Sequence, residues 1–99
     1  MKIFHKRNLN HWILEYGFNE EYQTVIGIPC QYETCLAYST YNLWVGIDFH
    51  KHLVHIYQEY ECGGEISRRT FDFSHIDMDN EYDFMTELDT IVNEYVEEE

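Results

Sequence analysis

The sequence predicts an α+β fold, an antiparallel meander of four to five strands packed against a C-terminal amphipathic helix. Three observations carry that prediction. First, the strand-like runs Leu43 to Phe49, Leu53 to Tyr60 and Ile66 to Phe73 are separated by little more than His50-Lys51-His52 and a turn at Cys62-Gly63-Gly64, and such short links make hairpins. Second, Phe84, Met85, Leu88, Ile91, Val92, Tyr95 and Val96 recur at the spacing of a helix with one apolar face. Third, 99 residues that are 44% hydrophobic and 17% aromatic make one domain with one core, which two layers of structure can enclose.

Taken in order, Lys2 to His5 is a candidate first strand. From Asn8 to Phe18 two periods compete. Leu9, Trp12, Ile13 and Tyr16 fit a helical face, whereas Trp12, Leu14, Tyr16 and Phe18 fit a strand. A short helix closed by Gly17 in the left-handed conformation is favoured. Tyr22 to Ile28 is β-branched and stops at the only proline, Pro29, which reads as a strand. Thr34 to Thr40 is a further candidate strand, bounded by the polar stretch Ser39 to Asn42 that Tyr41 interrupts. In Leu43 to Phe49, residues Leu43, Val45, Ile47 and Phe49 face one way and Trp44, Gly46 and Asp48 the other. In the last strand Ile66, Arg68, Thr70 and Asp72 alternate with Ser67, Arg69, Phe71 and Phe73.

The final third is the unusual part. Asp72 to Glu99 holds 11 of the 19 acids and neither Lys nor Arg. On the helix, Asp83, Glu87, Thr90 and Glu94 fall in a line away from the apolar arc, a negative stripe. Asp79 or Asn80 suits the N-cap, and Asp79, Glu81 and Asp83 suit the positive end of the helix dipole. Glu94, Glu97, Glu98 and Glu99 instead meet its negative end, and Asp83 with Glu87 is a like-charge pair one turn apart that costs about 0.2 to 0.5 kcal/mol. A face selected for solubility alone normally mixes in lysines.

A formal charge of −13, from six Lys plus Arg against nineteen acids, disfavours nucleic acid and anionic membrane as direct partners. It favours a basic protein surface. The N-terminus lacks the apolar run of a secretory signal and nothing is long enough to span a bilayer. Three cysteines, Cys30, Cys35 and Cys62, cannot all pair within one chain and form no CxxC, which fits free thiols in the cytoplasm.

Chemistry-bearing clusters are sparse. Asp48, His50, His52 and His55 offer the ligand types of a transition-metal site, but in a continuous strand His50 and His52 share a face and His55 opposes them. Hairpin residues are the plainer reading. Cys30 and Cys35 read as small buried hydrophobes rather than nucleophiles, and no glycine pattern makes a phosphate-cradling loop. The expectation is a protein that is not an enzyme and uses no cofactor or metal. A small metal-dependent enzyme built on the histidines is the reading that departs most from this.

Nine tyrosines supply rigid amphipathic rings of the kind that anchor interfaces, and sheets also accept them on half-exposed faces. Tyr82, off the apolar arc and beside the acids, is the one favoured for an interface. In length, charge, sheet-plus-helix outline and the acid run from Asp77 to Glu99, the chain resembles the small acidic inhibitors of phages and mobile elements: anti-CRISPR proteins, anti-restriction proteins and uracil-DNA glycosylase inhibitors. The resemblance implies carboxylates that occupy the basic channel of a nucleic-acid-binding protein, a CRISPR effector nuclease foremost. An immunity protein or antitoxin against a basic nuclease toxin follows from the same logic. The expected partner-binding residues are Asp79, Tyr82, Asp83, Glu87, Asp89, Glu94, Glu97 and Glu98.

Overall fold

The helix that the apolar spacing predicts lies across one face of a five-stranded antiparallel sheet. The computed structural model describes residues 11–20 and 27–95. A 3-10 helix, His11–Tyr16, leads into β1 (Asn19–Glu20), β2 (Tyr32–Ala37), β3 (Tyr41–Asp48), β4 (Leu53–Tyr60) and β5 (Glu65–Asp72), and α1 (Glu81–Val92) follows. The strands lie in chain order β1-β2-β3-β4-β5, each antiparallel to the next. This is the expected α+β meander. The candidate strand Lys2 to His5 lies outside the described residues, as do positions 22–26 of the strand expected at Tyr22 to Ile28. The described remainder of that run, Gly27 and Ile28, is a bend, and Gly27 has φ +76.

Register explains the core. Ile47 pairs with Tyr32 and Val54, and Val45 with Thr34 and Ile56, so one pleat of every central strand points at α1. Leu43, Val45, Ile47, Val54 and Ile56 are buried there with Ile13, Phe18 and Tyr32, and α1 closes over them with Phe84, Leu88 and Ile91. Phe73 and Phe49 meet the Phe84 ring at 5.5 and 5.6 Å, contacts that contribute about 0.5 to 1.5 kcal/mol each beyond area burial.

The turns follow from individual residues. Gly17 closes the 3-10 helix at φ +93, donating its N–H to Leu14 O at 3.2 Å, which is the left-handed stop expected of it. Asp48 Oδ1 accepts the backbone N–H of His50 at 3.0 Å and of Lys51 at 3.1 Å, so the β3–β4 turn is templated by its own aspartate. Tyr41, the aromatic that breaks the polar stretch Ser39 to Asn42, opens β3: Tyr38 N–H donates to Tyr41 O at 2.9 Å, which confines the turn to Ser39 and Thr40. The last turn closes through Gly63 N–H to Tyr60 O at 2.9 Å.

The other sheet face carries Glu33, Cys35, Trp44, Gly46, His55, Tyr57 and Arg68. Cys30 and Tyr57 are buried there against half-buried Trp44, and Arg68 stacks 4.5 Å from the Tyr57 ring centroid. All three cysteines are free. Cys30 is the small buried hydrophobe expected, whereas Cys35 is exposed because β2 runs out beyond the core in its second half.

Candidate partner-binding face

The helix begins where its cap dictates. Asn80, not Asp79, is the N-cap: its Oδ1 accepts Asp83 N–H at 3.1 Å. Asp79 sits half-buried in the preceding turn, its N–H on Asp77 Oδ1 at 3.0 Å. At the far end no basic residue occupies the last turn. The N–H groups of Asn93, Glu94 and Tyr95 donate to Asp89, Ile91 and Val92 O at 2.9, 3.2 and 2.8 Å, so these carbonyls at the negative end are satisfied without a cation, and the Tyr41 hydroxyl donates to Tyr95 O just beyond.

At about 100° per residue, the expected site residues divide between two flanks of α1 rather than one stripe. Asp83, Glu87 and Glu94 line one flank, beside the β5–α1 connection. Tyr82 and Asp89 line the other, on the side of the 3-10 helix. Tyr82 is 77% exposed and Asp83, Asp89 and Glu94 are exposed, while Glu87 is half-buried. Glu87 also has a basic neighbour that is neither Lys nor Arg, since His75 Nε2 lies 3.3 Å from its Oε2. His75 sits in a connection, where periodicity carries no signal. Glu97 and Glu98 lie outside the described residues.

The described arginines and lysine leave the helix acids unpaired with cations of their own. Arg69 stacks 5.1 Å from the Phe71 ring centroid and reaches the Tyr95 hydroxyl at 3.4 Å. Arg68 reaches Glu65 at 3.4 Å, and Lys51 is exposed in the β3–β4 turn. Glu81, Asp83, Glu87, Asp89 and Glu94 spread over about 20 Å of helix at 1.5 Å per residue. Four intervals over that length make one carboxylate per about 5 Å, sparser than the 3.4 Å charge spacing of a single nucleic-acid strand and shared between two flanks.

A groove runs between α1 and the β1–β2 edge. Tyr16, Met85 and Asp89 border both of its sections, one floored by Phe18, Leu88 and Val92 and the other reaching Glu81 and Tyr82. The Tyr16 hydroxyl donates to Glu81 Oε2 at 2.7 Å. That bond, with the negative charge around it, pushes the Tyr16 phenol above its ordinary pKa. Tyr16 was one tyrosine among nine, with nothing in its spacing to single it out.

The histidines do not converge. His50 and His52 are exposed in the turn, while His55 is buried on the far sheet face, sharing a 2.9 Å hydrogen bond with Thr70 Oγ1. Among the described residues no three His, Cys, Asp or Glu side chains gather as a metal site. Burial, reinforced by the charges of Asp48 and Glu33, holds the Cys30 thiol up at about 12, which removes it as a nucleophile at neutral pH. Among the described residues no helix is long and apolar enough to cross a membrane. Comparison of the chain with known protein families, with curated proteins and with solved structures finds no match.

Proposed function

We propose that this chain is a protein inhibitor of a nucleic-acid-binding nuclease, an anti-CRISPR whose acidic helix occupies the basic nucleic-acid channel of a CRISPR effector. The observation that carries the reading is the set of carboxylates on the solvent side of α1 and just beyond its end, on a helix with neither Lys nor Arg. Self-repulsion along that face lowers the chain's own stability, and an arginine-rich channel supplies the missing cations. Exposed Tyr82 beside the acids adds an aromatic contact of the kind that bases make in such channels.

The test is target cleavage by purified CRISPR effectors in the presence of the wild-type chain and of a D83K/E87K/E94K variant. Reversing three interface charges at about 1 kcal/mol each should weaken inhibition about a hundredfold while the unfolding midpoint holds. Excess duplex DNA added before the inhibitor should protect the nuclease. Undiminished inhibition by a folded variant ends the proposal.

A further inference from the structure

The groove beside α1 has a chemistry that a negative stripe does not require. Its floor is apolar, made by Phe18, Leu88 and Val92, and its rim carries the exposed carboxylate of Asp89 and two projecting rings, Tyr16 and Tyr82, 47% and 77% exposed. It stays open because β2 leaves the core at Thr34, whose hydroxyl is turned aside to Gly17 O at 3.1 Å, and because Leu36 beyond it is exposed. The floored section encloses about 220 Å³, or about seven waters at 30 Å³ each. That is the bulk of one long side chain.

We propose that the floored section of this groove is a socket for an arginine side chain of the basic partner, its aliphatic stem lying on Phe18 and Leu88 and its guanidinium meeting Asp89 and the Tyr16 ring, with Tyr82 bordering the neighbouring section. Charge complementarity selects a cation, because an apolar side chain would desolvate Asp89 without pairing it. The floor and rings select arginine over lysine: a guanidinium is planar, weakly hydrated, stacks on aromatic faces and forks onto a carboxylate. The inference rests on the proposed function for the partner's basic character. It adds a place and a residue type.

NMR titration of the full chain with acetyl-Leu-Arg-Leu-amide, and with its lysine and citrulline counterparts, tests the socket directly. The arginine peptide should give saturable shifts at Leu36, Met85 and Asp89, with the lysine peptide about fivefold weaker and the neutral citrulline peptide inert. Asp89→Asn alters an exposed residue of the socket and should weaken binding about tenfold, whereas Tyr82→Ala, in the neighbouring section, should weaken it less. Shifts confined to Asp83, Glu87 and Glu94, or equal binding of citrulline, would overturn the socket. So would concentration-dependent shifts without peptide, which mean a second copy, or binding seen only after removal of residues 1–10, which assigns the groove to this chain's own basic segment. In the cleavage assay, full inhibition by D89N/Y82A alongside loss in D83K/E87K/E94K sinks the socket and spares the function; full inhibition by both variants sinks the function itself.

Discussion

Gly46 pairs with Glu33 on one side and His55 on the other, and both of these polar side chains are buried. Burial lowers the His55 pKa, opposed by Asp48 and assisted by Arg68 and Lys51. A lowered folded pKa means that the unfolded chain binds the proton more readily. The stabilising contribution is therefore complete above the unfolded value near 6.5 and is lost as pH falls below it. Melting temperatures measured from pH 7 to pH 5 should fall more steeply for the wild type than for His55→Gln, and parallel curves would contradict the burial cost. Cys30 offers a second check at the same scale. With its thiol held near 12 and no exposure to reagent, it should resist iodoacetamide at pH 8 while exposed Cys62 is alkylated, and react only after unfolding, as peptide mass analysis would read.

The helix shows which elements sequence makes legible and which it does not. Its apolar spacing located the core contacts, and Leu88→Ala should cost about 2 to 5 kcal/mol in chemical denaturation because the Leu88 side chain is 3% exposed. Helix stability and the proposed partner binding separate at Glu94, an exposed acid just past the negative end of the α1 dipole. Glu94→Lys should stabilise the fold by about 0.3 to 1 kcal/mol and yet weaken the partner complex. A variant that gains both would mean the acid serves neither the helix nor the complex. The strands β3, β4 and β5 were equally readable from alternation and turn glycines. The sheet's first edge was less so: Asn19–Glu20 is a two-residue strand of exposed polar side chains that carries no period, and the strand expected at Thr34 to Thr40 forms but begins at Tyr32 and ends at Ala37, buried only in its first half. The candidate site inherits that gap. The acids on α1 were visible along one helix, but the groove needs Tyr16, Phe18 and Leu36 from three other segments, and His75 approaches Glu87 from a connection.

For the whole molecule, the charge of −13 acts mainly on encounter. Approach to a basic partner should be steered, so the association rate should fall about tenfold or more as ionic strength rises from 10 to 150 mM and the screening length shrinks from about 30 to 8 Å. Stopped-flow mixing measures it. A rate indifferent to salt would place the binding energy in the tyrosines and the groove floor.

The strictly sequential strand order also bears on how the chain reaches its native state. Every strand finds its partner in the segment made just before it, so pairing can advance as a zipper while synthesis proceeds, with little loop closure to wait for. Two ties in the structure lie outside that progression: Tyr16 to Glu81, 65 residues apart, and Tyr41 to Tyr95, 54 apart. Both are clasps on the last helix. The expected order is sheet first and acidic helix last, so that the self-repelling element docks on a surface already formed; helix substitutions such as Leu88→Ala should then speed unfolding more than they slow folding.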